Sequence, residues 1–246
     1  MTGSDPLSYS LFVPAKNTIR TFIENGYYHV YNRGVEKREI FIDDRDYRMF
    51  LYFLKYYLEP PHPDDISQRR RSLFNQVQLL AFCLMPNHFH LLVKQQSADS
   101  ITKLLRAIST SYVGYFNRRY KRIGGLFQGK YKAALVESDE FLLNLSLYIH
   151  IKPPGLSWVA PASGGSDPLQ NYPYSSFSYY LGIKNAQWLD TKIILDFFSI
   201  NKVSAFSEDF FSYERFVKDY STNPEEIIGN VTLDPPEGSD PVAYKH

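Results

Sequence analysis

Pro86-Asn87-His88-Phe89-His90-Leu91-Leu92-Val93 is the stretch in which residue type and spacing point most clearly to chemistry. On a strand, side chains two apart leave the same face, so His88 and His90 project together while Phe89 turns to the core. Two imidazoles so placed can hold one divalent ion. A His-x-His pair on a strand is often just a polar face. The sheet-centre position expected here, and the basic residues around it, favour the ligand reading. A metal held this way polarises a phosphate oxygen and offsets the charge that builds during displacement, so phosphoryl transfer is the reaction it could serve. A nucleophile is then needed. The chain carries no serine elbow, Walker loop or catalytic cysteine pattern, but it has 20 tyrosines. A phenol with a reference pKa of about 10 is almost wholly protonated at neutral pH, so the metal or a neighbouring base must activate it.

The elements that must position these groups follow from periodicity and breakers. YYHVY (27–31) is rich in β-formers and runs into Asn32-Arg33-Gly34, a turn or bulge signal, which predicts a strand. Asp43, with Asp44 and Asp46, opens a helix whose apolar stripe includes Phe50, Phe53, Leu54 and Tyr57. Pro60-Pro61-His62-Pro63 ends it, and a polar basic loop is expected through Arg71. Val77 to Leu84 reads as a buried strand, Pro86-Asn87 as a turn, and His88 to Lys94 as the hairpin partner. Asp99 or Ser100 caps a long amphipathic helix that Gly124-Gly125 breaks, with Tyr112 and Tyr115 packing along it. Lys130 to Val136 is the last strand. Ser138 and Asp139 start a helix through Ile151, which Pro153-Pro154 terminates. The order predicts an α+β fold: a ferredoxin-like βαββαβ antiparallel sheet with an added C-terminal helix carrying the catalytic group, and a small helical extension. Residues 1–18 read as a flexible tail, 19–155 as the catalytic domain, and 156–220 as a loop-rich and helical extension packed on it. Two short helices are expected near 189–199 and 207–220, and residues 221–246 read as a disordered tail. The tetrapeptide GSDP recurs at 3–6, 165–168 and 238–241 and is too short to be a structural repeat.

The net charge of +1 hides an asymmetry. Ser67 to Val136 holds twelve basic residues against one acidic residue, Asp99, while the remainder holds fifteen basic and twenty-five acidic. So one-sided a block is an electrostatic footprint for a polyanion. Its tightest cluster is Arg118, Arg119, Lys121 and Arg122 at the end of the long helix, with Lys130 and Lys132 just beyond. These suit contacts to a nucleic-acid backbone, although cations also favour a helix C-terminus on their own account. Phe127 and Tyr131 could stack on unpaired bases, with core packing the expected use of at least one. The single Cys83 excludes an internal disulfide and a cysteine zinc cluster. No apolar run approaches about 18 residues and the N-terminus lacks a signal pattern, so a cytoplasmic protein without a membrane span is expected.

YHVYNRG (28–34), REIFIDDRDYRMFL (38–51), PNHFHLLV (86–93), YFNRRYKRIGGLFQGKYK (115–132) and LYIHIKPP (147–154) together resemble the HUH single-tyrosine transposases, most nearly their REP-associated branch. The resemblance continues through YPYSSFSYYLG (172–182), WLDTKIILDFF (188–198) and YERFV (213–217), and so spans roughly residues 22–220. It implies a single-stranded DNA substrate with hairpin character, Mg²⁺ or Mn²⁺ at His88 and His90, and a covalent 5′-phosphotyrosine intermediate. It puts the nucleophile on Tyr148, ahead of Tyr115 and Tyr112. Asn32 and Arg33 also match, as DNA contacts or as orienting groups. Where the family has Asn four residues after the tyrosine, this chain has Lys152. An ammonium has no lone pair and cannot replace an amide as a ligand. Either Lys152 contacts the scissile phosphate and the metal keeps two protein ligands plus water, or catalysis is weakened; a third option supplies the ligand from Asn144.

Two classes of function compete: a DNA strand transferase, and a nucleic-acid-binding relative that keeps the fold without cleavage. A two-histidine phosphoesterase would need a second His-x-Thr/Ser pair, which is missing here. A zinc hydrolase would act without Tyr148. Relatives can share sites across a dimer, while the REP-associated branch can act alone, so a monomer is the expected form.

Overall fold

The computed structural model describes residues 22–153, 168–200 and 212–218. Strands β1 (Tyr27–Arg33), β2 (Val77–Met85), β3 (His88–Gln95) and β4 (Lys132–Val136) form one sheet in the order β2-β3-β1-β4. Every neighbouring pair is antiparallel. With helix α1 (Asp44–Leu58) between β1 and β2, and α3 (Ser100–Arg119) between β3 and β4, this is the ferredoxin-like βαββαβ arrangement the sequence predicts. Helix α4 (Asp139–Ile151) follows as the added helix.

The sheet has helices on both faces because its strands alternate two apolar sets. Tyr28, Val30, Phe89, Leu91 and Val93 point one way and pack with α1 and α3. Tyr31, Cys83, Met85 and Leu92 point the other way and pack with Leu145, Tyr148 and Ile149 of α4. Ser138 starts α4 by accepting from the Phe141 amide at 3.1 Å. Asp43 does the same for α1, accepting from Arg45 and Asp46.

The structure differs from the sequence reading in three places. The basic loop before β2 contains a short helix, α2 (Ile66–Arg71), which Asp65 caps by accepting from Gln68 N. β1 runs on through Asn32 and Arg33, because both stay paired with β3 opposite Phe89 and His88. α3 stops at Arg119, short of the glycine pair, because Lys121 adopts a left-handed backbone at φ 52° and Arg122 N returns to Asn117 O at 2.9 Å.

Four further helices, α5 (Pro168–Asn171), α6 (Phe177–Tyr180), α7 (Lys192–Ile200) and α8 (Tyr213–Lys218), complete the described chain. Their segment covers the outer edge of β2. Leu84 N donates to Tyr174 O at 2.9 Å, Ser176 N to Phe82 O at 2.9 Å, and Asp190 N to Leu79 O at 2.8 Å. Polar edge groups that would otherwise recruit another strand are thereby paired. Among the described residues no helix is long and apolar enough to cross a membrane. The expected tails at 1–18 and 221–246 lie outside the described residues.

Candidate active site

β3 occupies an inner position, and its α4-facing side presents His88 and His90. The register adds neighbours on that face: Arg33 stands opposite His88, and Tyr31 opposite His90 with Lys132 beyond it on β4. The turn that delivers His88 is braced from β1. Gly34 N donates to Asn87 O at 2.8 Å, Ile40 N and Phe41 N donate to Pro86 O at 2.7 and 3.0 Å, and the Asn87 amide donates to Lys37 O at 3.3 Å. Gly34 and the residues just after it thus support the histidine turn, while the Asn32 side chain donates to Gly129 O at 3.2 Å.

The second nitrogen of each histidine is engaged. His88 Nδ1 lies 2.5 Å from Asn87 Oδ1. A carboxamide oxygen only accepts, so His88 is protonated on Nδ1 and carries its lone pair on Nε2. His90 Nδ1 meets His29 Nε2 at 2.8 Å, with both rings fully buried. Desolvation holds both imidazoles below their ordinary range, His29 at about 3. Each is therefore neutral, the form a ligand needs. His90 Nε2 is buried and has no hydrogen-bond partner among the described residues. An unmatched imidazole nitrogen beside a second imidazole suits a divalent ion. Among the described residues no cluster of three or more His, Cys, Asp or Glu side chains could hold a metal. His88 and His90 would contribute two ligands to an ion here, and water and phosphate oxygens could fill further positions.

α4 brings Tyr148 over these rings. Its ring meets His90 edge-on with centroids 5.5 Å apart, and His29 at 6.2 Å. Tyr148 is only 1% exposed. Lys152, at the helix C-terminus, holds its ammonium 5.0 Å from the centre of the Tyr148 ring, and its charge is felt at His90. Asn144 lies half-buried one turn earlier on α4. The other candidate tyrosines pack on the opposite face. Tyr112 donates to Ile40 O at 2.5 Å and Tyr115 to Asp46 Oδ1 at 2.9 Å, both in the α1–α3 core.

The predicted cations divide into four groups. Arg33 and Lys132 flank the histidines, Arg33 donating from Nε to Gln128 Oε1 at 2.5 Å and Lys132 lying 5.9 Å from the Tyr31 ring centre. Arg118, Lys121 and Lys130 are exposed. Arg122 is half-buried, donating to Asn117 Oδ1 at 3.2 Å and Gly125 O at 3.5 Å. Arg119 is partly buried and already paired within the protein. Its guanidinium grips Asp43 and Asp46 of α1 at 2.5 and 2.7 Å and ties the two helices together. Phe127 and Tyr131 serve the core: Phe127 meets Phe89 edge-on at 6.0 Å, and Tyr131 pairs with Thr102 at 2.9 Å. His29 was absent from the sequence candidates. Its only sequence signal is its parity with Tyr31 in YYHVY, which places it on the α4 side.

Residues 67–152 match the model of the family described as "Transposase IS200 like". No curated protein matches the chain. Among solved structures, a REP-associated tyrosine transposase bound to a REP hairpin is 16% identical. That alignment has a TM-score of 0.49 and covers 72% of this chain and 93% of the other. A candidate transposase of Deinococcus radiodurans is also 16% identical, with a TM-score of 0.34, covering 54% of this chain and 95% of that one.

Proposed function

With residues 67–152 belonging to the IS200-like transposases, we propose that this transposase-like protein cleaves and rejoins single-stranded DNA of hairpin character through Tyr148. One observation carries the reading: the Tyr148 ring lies edge-on 5.5 Å from His90, whose outer nitrogen is buried and unmatched. Mg²⁺ or Mn²⁺ held by His88 and His90 would draw charge from a non-bridging oxygen of the scissile phosphate. Arg33, Lys132 and Lys152 border the same space and offset the remaining phosphate charge. The Tyr148 oxygen attacks phosphorus, the O–P bond forms as the bond to the 3′ oxygen breaks, and the phenol proton ends on that departing oxygen. The product is a 5′-phosphotyrosine and a free 3′-hydroxyl. Attack by a 3′-hydroxyl reverses the exchange and rejoins the strand.

Tyr148 is buried in the strand-free protein, so α4 must draw back from the sheet when a strand enters. All these groups come from one chain, which supports action as a monomer. Arg118, Lys121, Arg122 and Lys130 would hold the flanking backbone.

Incubating the protein with a single-stranded hairpin and Mn²⁺ tests the reading. A covalent adduct is expected from the wild type and from Tyr115→Phe, and none from Tyr148→Phe. An adduct that survives Tyr148→Phe removes the tyrosine from the role, as a zinc hydrolase would require. The second reading, a binding relative that does not cleave, draws on Lys152 in the place of the family's amide and on the closed position of Tyr148. It predicts hairpin binding with no adduct under any metal.

A further inference from the structure

His29 and His90 meet across adjacent strands through Nε2 and Nδ1 at 2.8 Å. Their rings lie within 17° of parallel with centroids 5.0 Å apart. At so short a nitrogen–nitrogen distance, this is two imidazoles joined edge to edge along an N–H···N bond. Only one of the two facing nitrogens can carry the proton. The outer nitrogens, His29 Nδ1 and His90 Nε2, are both buried without a hydrogen-bond partner among the described residues.

Two arrangements satisfy the shared bond. In one, His90 donates from Nδ1, its Nε2 carries a lone pair, and the remaining proton sits on His29 Nδ1. In the other, His29 donates from Nε2, and His90 Nε2 carries a hydrogen and cannot coordinate. Each leaves one buried N–H and one buried lone pair unmatched, so counting hydrogen bonds does not choose between them. Coordination does: of the two, only the first leaves His90 Nε2, buried and unmatched among the described residues, with a lone pair for an ion. His88 is arranged alike, with Asn87 Oδ1 holding the proton on its Nδ1.

We propose that His29 is a positioning residue for the metal site: it accepts from His90 Nδ1 and so holds His90 Nε2 as the lone pair directed at the cation. The assignment rests on the reading of His88 and His90 as ligands. It gives both ligands an outer-shell acceptor, a carboxamide for one and an imidazole for the other. It also accounts for a fully buried histidine on β1.

Two measurements on the full chain test it. In the metal-free protein, ¹⁵N-detected imidazole resonances should show His90 protonated on Nδ1; a proton on Nε2 overturns the proposal. This readout needs no variant, so it stands even where a substitution prevents folding. Calorimetric Mn²⁺ titration then compares the wild type with His29→Phe, which keeps a ring but no acceptor, and His29→Gln, whose carboxamide oxygen can reach the position of Nε2. Mn²⁺ binding should weaken about 10- to 100-fold in His29→Phe and stay within about threefold in His29→Gln. Equal affinity in wild type and His29→Phe overturns the role of His29 alone, provided wild-type binding depends on His88 and His90. A wild type that binds no Mn²⁺ at these histidines overturns the metal reading beneath it.

Discussion

The ammonium of Lys152 lies 5.0 Å from the centre of the Tyr148 ring, one helical turn along α4, and its field reaches His90. A cation so close repels a divalent ion bound at that histidine, even with the screening of a partly buried site. Lys152→Asn and Lys152→Met should therefore each tighten Mn²⁺ binding by about tenfold or more. If the ammonium also touches the scissile phosphate, Lys152→Met should slow adduct formation by about tenfold at saturating Mn²⁺. Calorimetry and a quenched adduct time course read the two effects separately. Unchanged Mn²⁺ affinity in both variants would mean that Lys152 and the ion do not share a site.

Arg119 and Lys121 are two positions apart and should behave oppositely. Asp46 is fully buried and accepts from Arg119, Tyr115, Tyr120 and the Ile42 amide. Removing the guanidinium leaves that carboxylate short of its countercharge, so Arg119→Met should lower unfolding free energy clearly, and by more than Lys121→Ala. The salt dependence of hairpin binding should not change. Lys121→Ala should leave stability within about 0.5 kcal/mol and reduce the slope of log K against log salt by about 0.7. Urea unfolding and binding isotherms at several salt concentrations decide it. A changed salt slope in Arg119→Met would show that this residue also contacts the DNA backbone.

The contrast between these residues shows what the sequence could reveal. Alternation along HFHLLVK suffices to put His88 and His90 on one face, because β3 is an inner strand with apolar residues between the polar ones. The sheet order follows from the succession of strands and helices. Register is a different matter. That Arg33 faces His88, or that His29 meets His90, depends on which residue stands opposite which, and the β1 pattern is compatible with neighbouring alignments. Arg119 looked like one of four equivalent cations, because its acidic partners lie more than seventy residues away on α1. α2 escaped notice because six residues with a charged centre carry no amphipathic period. Tyr148 itself came from the family motif, since on α4 a core tyrosine and a nucleophile have the same spacing.

His150 should make the fold acid-sensitive. It is fully buried between Tyr213, 2.6 Å from Nδ1, and Ser176, 2.7 Å from Nε2. Burial holds its pKa down at about 3. The unfolded chain would protonate the same ring near pH 6.5. Above that value neither state takes up the proton and the full stability is present. Between about 6.5 and 3 the unfolded state alone binds it, so stability falls as pH drops, by up to about 1.4 kcal/mol per pH unit, and levels off below 3. His29 shares the window. Urea unfolding at intervals from pH 7 to 5 should show the decline, and His150→Gln should flatten it by about one proton while lowering stability at pH 7. A slope identical in variant and wild type would contradict the assignment.

Gly34 shows how a backbone requirement at the end of β1 reaches the proposed metal ligands on β3. A Cβ built on it would stand 2.1 Å from the Arg38 carbonyl oxygen and 3.0 Å from Ile40 Cγ2. The first neighbour is main chain, so it cannot swing aside. The loop from Val35 to Arg38 would have to open, and that loop carries Lys37 O, the acceptor for the Asn87 amide. Gly34 N itself holds Asn87 O at 2.8 Å, and Asn87 Oδ1 fixes the His88 ring. Gly34→Ala should therefore do two things at once. It should destabilise the fold by about 1–3 kcal/mol, as expected when added volume meets fixed backbone. It should also weaken Mn²⁺ binding and adduct formation by about tenfold or more through misorientation of His88, with hairpin affinity reduced less. Asn87→Ala separates the two effects, since it removes the grip on His88 without crowding the loop: it should reproduce the loss of Mn²⁺ affinity with a smaller loss of stability. Full Mn²⁺ affinity in both variants would break the link from the β1 turn to His88.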